Sequence, residues 1–78
     1  MTAFILAARS LRQTLQQAIS IETDESVHRE LVCADHYVGM AQHRAAAGQL
    51  NWASSAMEAA SACVQFGMTM RRLHSRPV

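Results

Sequence analysis

The sequence predicts an all-α protein: an antiparallel helical hairpin with an additional N-terminal helix, three helices in up-down-up order. Three observations support this prediction. Apolar and small residues recur at steps of three and four along most of the chain, which is the period of a helix face. Small residues on two successive segments mirror each other about Gly48. No stretch alternates apolar and polar residues among β-branched neighbours, as a strand would.

The first helix is predicted within residues 1–21. Arginine and glutamine residues cover most of its surface, so Arg12 is expected to face solvent. The stretch 20–26 is polar, and its segment from Ser20 to Asp24 can act as a hinge, which allows this helix to pack on its own chain or to swing out onto another molecule. Its apolar residues return at steps of four and three and so share one face; they are Phe4, Ala8, Leu11, Leu15, Ala18 and Ile19.

The second helix is predicted to begin beside Thr23 or Asp24, either of which can serve as its N-cap. Gly48 is expected to end it, because glycine readily adopts the left-handed conformation that closes a helix. The apolar stripe of this helix is the clearest in the chain and consists of Val27, Leu31, Ala34, Val38, Ala41 and Ala45.

The third helix is predicted to begin after Asn51, a good N-cap residue, and to run to about Leu73. Trp52 is expected to plug the closed end of the hairpin. Small side chains on both helices allow a close approach once the chain folds back at Gly48. We therefore expect matched residues at three heights, namely Ala45 with Ala53, Ala41 with Ala56, and Ala34 with Cys63.

The 78 residues are predicted to form one small helical domain, residues 1–78. The apolar fraction of 50% argues against disorder, but many of these residues are alanines, which bury little area. At about 25 cal/mol per Å² of buried apolar surface, so thin a core predicts stabilisation by a partner or a second copy, and a homodimer is expected. The larger core candidates are Phe4, Ile5, Leu6, Leu11, Leu15, Ile19, Val27, Leu31, Val38, Leu50, Trp52, Met57, Val64 and Phe66.

The charge distribution bears on nucleic-acid binding. A formal net charge of +1 argues against non-specific binding to nucleic acid, which needs a basic surface. The only basic cluster, Arg71, Arg72 and Arg76, lies near the C-terminus. It can contact phosphates or an acidic partner, or simply stabilise the end of a helix through the helix dipole. A nucleic-acid-associated regulator that uses this cluster is the alternative interpretation of function.

Hydropathy and cysteine content bear on where in the cell the protein is expected to reside. No segment reaches the ~20 apolar residues that a membrane span needs, so no membrane partner is expected. Cys33 and Cys63 are too few for a disulfide scaffold, although the mirrored pattern places them at similar heights, where a bridge is conceivable. Two reduced thiols in a reducing compartment are the simpler interpretation, which predicts a cytoplasmic protein.

The second and third predicted helices also carry a repeat-like spacing, on Tyr37, Met40, Ala41, Arg44, Gly48, Ala53, Met57 and Ala60. With these residues the hairpin resembles one tetratricopeptide repeat unit, over about a third of the chain. That family has an aromatic residue at the position of Arg44, a glycine at that of Ala41, and a proline after its second helix. A single unit needs a further surface to stack on. The resemblance implies a peptide- or protein-binding role.

Several large side chains lie off the main apolar stripes and are the candidate partner-binding residues. Methionine, aromatic and arginine side chains are enriched at protein interfaces. The competing interpretation is that the first helix covers them. The candidates are Tyr37, Met40 and Arg44 on the second helix and Phe66, Met70 and Leu73 on the third.

Candidate catalytic and metal-binding groups are sparse. Cys33, His36 and His43 could share a helix face, and Cys63 from the opposite helix would complete a four-ligand zinc set. No paired-cysteine motif accompanies them, so neither metal nor cofactor is expected. Arg29 followed by His36 resembles the spacing in a family of helical ribonucleases, whose chains are longer. No serine–histidine–acid arrangement or glycine-rich phosphate loop is present, and we predict no enzymatic activity.

These observations predict a small, non-enzymatic protein–protein interaction module that acts as an adaptor, regulator or inhibitor of another protein. In its size and lack of catalytic residues the chain resembles short accessory proteins of bacteria and their phages.

Overall fold

The computed structural model describes residues 2–75, which form three α-helices joined by short turns. The helices are α1 (Thr2–Ile21), α2 (Glu25–Ala46) and α3 (Leu50–His74). No strand occurs within these residues. The predicted all-α fold, a hairpin preceded by one further helix, is therefore confirmed.

The two turns are specified by local chemistry. Asp24 is the N-cap of α2, and its carboxylate accepts hydrogen bonds from the backbone N–H groups of Ser26 and Val27 at 2.9 and 3.2 Å. Gly48 has φ of 78°, in the left-handed region that only glycine adopts without strain. Both features agree with the sequence prediction.

The start of α3 differs from the prediction. The helix begins at Leu50, and the cap position is Gln49, whose side chain does not cap the helix. The turn is short because the N–H groups of Gly48 and Gln49 bond back to the carbonyls of Ala45 and Arg44. The chain therefore re-enters a helix at once, and Asn51 lies within the first turn of α3 rather than at its N-cap.

The second helix is the central element, and both α3 and α1 pack against it. No Cα of α1 lies within 8 Å of a Cα of α3. The closed end of the hairpin consists of alanines from both helices, as the mirrored pattern predicts; the buried cluster is Ala41, Ala45, Ala53 and Ala56. Close packing continues to Gly67, which is also buried.

The first helix packs on its own chain, through Ala8 and Leu15, which join the main core with Val27 and Leu31. An ion pair fixes its position: Arg12 Nε lies 3.1 Å from Asp35 Oδ1 of α2. Arg12, which was expected to face solvent, is instead only partly exposed and is bound to Asp35. The reason is that α1 crosses the flank of α2 that carries Asp35, so the two side chains meet.

The core contains fewer large side chains than the sequence predicts. Five expected core residues are exposed: Leu6, Leu11, Leu50, Trp52 and Phe66. The described part of the protein is 49 Å long but only 15 Å across its shortest axis, which is little more than the diameter of one helix. An apolar cleft remains open between α1 and α3, lined by Leu11 and Leu15 on one side and by Met57 and Val64 on the other, so the three helices enclose too little interior for all the apolar stripes.

Candidate functional site

A shallow depression follows the junction of α2 and α3 on one face of the molecule. Its volume is about 190 Å³. We call it the seam surface; it is lined by Tyr37, Met40 and Arg44 of α2 and by Trp52, Ser55, Ala56 and Ala59 of α3. The three candidate residues of the second helix therefore lie together, and α3 supplies the other wall.

The guanidinium of Arg44 is held in place at one end of this surface. It donates a hydrogen bond to Gln49 Oε1 at 2.9 Å, and its Cζ lies 5.5 Å from the centroid of the Trp52 ring. Such a cation–π contact keeps a cation over an exposed aromatic face. The arrangement presents a flat indole and a fixed positive charge side by side, which is a combination common at the centres of protein interfaces.

Trp52 is the residue whose role the sequence analysis missed. It does not plug the hairpin: its side chain is 65% exposed, because the alanines Ala45 and Ala53 already close that end. The spacing contained a usable signal. Trp52 precedes Ala59 by seven residues and Phe66 by fourteen, so all three share one flank of a helix.

The candidate residues of α3 continue this flank toward the C-terminal end. Phe66 and Leu73 are 53% and 57% exposed, whereas Met70 is half-buried against the main core. The first helix leaves Phe66 and Leu73 uncovered, because the side of α3 that faces α1 carries Met57, Ser61 and Val64 instead. The flank of α3 thus carries a row of three large exposed side chains, Trp52, Phe66 and Leu73, separated by small residues.

The predicted basic cluster of Arg71, Arg72 and Arg76 is only partly available to bind a polyanion. Arg71 forms an ion pair with Glu22, and the Nδ1 atom of His74 hydrogen-bonds to Asp24. These contacts tie the end of α3 to the turn between α1 and α2. Arg72 is exposed and takes part in no ion pair among residues 2–75. Arg76 lies outside the described residues.

Two further depressions flank α2. One, of about 230 Å³, is an apolar cleft between α1 and α3; it is lined by Leu11, Leu15, Val38, Met57, Ala60, Ser61 and Val64. The other, of about 360 Å³, is shallow and more polar; it is lined by Arg12, His36, Gly39, Met40, His43 and Arg44. In the second depression the Arg12 guanidinium is already occupied by Asp35.

The cysteine and histidine set considered for zinc is not assembled. Within residues 2–75 no three His, Cys, Asp or Glu side chains are placed to hold one ion. Both cysteines are free; Cys33 is exposed, whereas Cys63 is half-buried. Burial raises the pKa of the Cys63 thiol, and the nearby Glu30 carboxylate raises it further. Arg29 and His36 are exposed side chains on α2.

No helix within the described part of the chain is long and apolar enough to cross a membrane. Comparisons with models of protein families, with curated proteins and with solved structures give no significant match. The relationship to tetratricopeptide units stays a prediction.

Proposed function

We propose that this protein is a cytoplasmic, non-enzymatic interaction module that binds another protein through the seam surface and the adjoining exposed row on α3. It would act as an adaptor, regulator or inhibitor of that protein. The observation that supports this most directly is the exposure of Trp52 and Phe66 along one flank of α3. Large aromatic side chains contribute much of the binding energy at protein interfaces.

Composition strengthens the proposal. Between Leu50 and Met70 the only charged residue is Glu58. A solvent-facing helix surface usually carries charged residues, and an uncharged row flanked by polar residues is typical of a docking surface. Tyr37 and Met40 widen the apolar area across the seam, and Arg44 supplies a positioned charge at its edge.

The test uses two double variants and a matched control. Tyr37→Ala with Met40→Ala truncates the α2 wall, and Phe66→Ala with Met70→Ala truncates the row on α3. Leu6→Ala with Met68→Ala is the control, because those side chains are 53% and 60% exposed but lie elsewhere. Each protein is used to capture binding partners from an extract of the source cell, and circular dichroism verifies its helical content.

We call these two double variants the seam variants. We expect the control to capture the same protein as the parent. A seam variant that remains helical should bind that protein at least about tenfold more weakly, which corresponds to ~1.4 kcal/mol of binding free energy. Capture that is equal for the parent, both seam variants and the control would place the interface elsewhere. Loss of helical content in both seam variants, but not in the control, would assign these side chains to the core instead.

A further inference from the structure

The exposed row on α3 has the spacing of a coiled-coil seam. We call it the outer stripe; its members are Trp52, Ser55, Ala59, Ala62, Phe66, Thr69 and Leu73. Their steps alternate between three and four, so they occupy the a and d positions of successive heptads. None is charged. All lie on the flank of α3 that continues the seam surface, rather than on the face that packs against α2.

Two charged residues accompany the outer stripe on one side. Glu58 and Arg72 directly precede Ala59 and Leu73, so each occupies a g position of the heptad, where coiled coils form ion pairs between helices. Both side chains are exposed, and neither belongs to an ion pair among the described residues. They stand fourteen residues apart, which is about 21 Å along a helix, too far for direct contact.

We propose that α3 docks antiparallel onto α3 of a second copy of this chain, with Glu58 of each copy paired with Arg72 of the other. This inference rests on the proposed function, in which this flank of α3 binds a protein, and it identifies that protein as a second copy of the chain. A two-fold axis near Gln65 generates both ion pairs at once, since the same patch serves both copies.

The outer stripe is complementary to itself in this arrangement. Phe66 of one copy lies against Ala62 of the other, and Leu73 lies against Ser55, so each of these two large side chains meets a small one. These pairings allow close approach over the part of the contact between Ser55 and Leu73. Tyr37 and Met40 of the seam surface border the same contact and add apolar area.

Charge selects both the direction and the register. A parallel pair in register would place two Glu58 side chains at one height and two Arg72 side chains at another, without opposite charges to pair. An antiparallel pair displaced by one heptad would bring Glu58 opposite Gln65 and lose both ion pairs. Only the proposed register satisfies Glu58 and Arg72 together.

The experiment exchanges these two charges and measures the oligomeric state of the full chain by sedimentation. We expect the parent to be a dimer at micromolar concentration. Glu58→Arg and Arg72→Glu should each weaken the dimer at least tenfold, because each creates two like-charge pairs. The double variant should restore it, and a mixture of the two single variants should form a heterodimer.

The restoration cannot arise within one chain, because the two positions are about 21 Å apart on the same helix. Glu25→Arg and Arg9→Glu are the controls, since they make the same charge changes at exposed positions outside α3 and should leave the dimer intact. Thermal melts of every variant separate loss of association from loss of folding.

A monomeric parent at micromolar concentration overturns this proposal, as does a dimer that is insensitive to both single charge changes or a double variant weaker than either single one. These failures are distinct from failure of the proposed function. A monomer whose seam variants still lose a captured protein would leave that function standing while the self-docking is rejected.

Discussion

Gly67 of α3 lies against Glu30 of α2 so closely that a β-carbon on Gly67 would lie 3.3 Å from Glu30 Cβ. That distance is shorter than ordinary van der Waals contact, and the Glu30 Cβ is fixed to the backbone of α2. The two helices would have to separate by a few tenths of an ångström to admit a methyl group. Gly67 therefore extends the line of small residues beyond Ala60 and sets the distance between α2 and α3.

We expect Gly67→Ala to destabilise the protein by about 1 kcal/mol, because the cost of overpacking exceeds the gain of about 0.5–1 kcal/mol from replacing a helical glycine. Gly39→Ala is the control. A β-carbon there would meet only the guanidinium end of Arg12, at 3.2 Å, which is the flexible end of a side chain and can shift by a few tenths of an ångström while it stays paired with Asp35. This variant should stay within about 0.5 kcal/mol of the parent or exceed it. If Gly67→Ala and Gly39→Ala have the same melting temperature, the close contact at Gly67 is contradicted.

The alanine contact at the closed end of the hairpin predicts a second stability effect. Ala41 is fully buried and Ala56 is 8% exposed, both within one cluster. Replacing either with leucine should destabilise by about 1–3 kcal/mol, because both alanines lie at the close contact between α2 and α3. Ala46→Leu, at an exposed position of α2, is the control and should change the melting temperature little. If all three leucine variants melt like the parent, the closed end is not tightly packed.

The N-cap of α2 predicts a dependence of stability on pH. The hydrogen bond from His74, together with those from the backbone N–H groups of Val27 and Ser26, lowers the pKa of Asp24 below its ordinary value of 3.8. A carboxyl group with a lowered pKa in the folded state stabilises the protein above its unfolded pKa and loses that contribution as the pH falls through the folded pKa.

We therefore expect the stability of the parent to fall on acidification below about pH 4, and Asp24→Asn to make that fall shallower. Asparagine still caps the helix, so the variant isolates the charge from the cap. Urea unfolding at a series of pH values measures the effect. Parallel stability curves for the parent and Asp24→Asn would show that Asp24 does not contribute to the acid sensitivity.

The two thiols should differ in reactivity. Burial and the Glu30 carboxylate raise the pKa of Cys63, which lowers the fraction of reactive thiolate, whereas Cys33 is exposed. At mildly alkaline pH we expect iodoacetamide to modify Cys33 several-fold faster. Mass spectrometry of Cys33→Ser and Cys63→Ser, each with one thiol left, gives the two rates. Glu30→Gln should accelerate the modification of Cys63; equal rates at both thiols would contradict the inferred surroundings.

The sequence alone determined the three helices and the turn at Gly48, and it narrowed the N-cap of α2 to Thr23 or Asp24. These features depend on residues within a few positions of one another. Apolar residues repeat at steps of three and four, the turn needs a residue with positive φ, and the cap is a side chain that bonds to the N–H groups two and three residues later. The alanine cluster at the closed end was also predictable, because a short turn at Gly48 fixes which residues of an antiparallel hairpin face each other.

Tertiary structure alone decided which apolar residues remained exposed. The pairing of Arg12 with Asp35 and the exposure of Trp52 and Phe66 both follow from the flank of α2 on which α1 lies. The hinge at residues 20–24 leaves that choice open in the sequence. The position of α1 on α2 is decided by the sum of contacts between residues that are distant in the chain. Periodicity within one helix carries no information about which distant residues will meet.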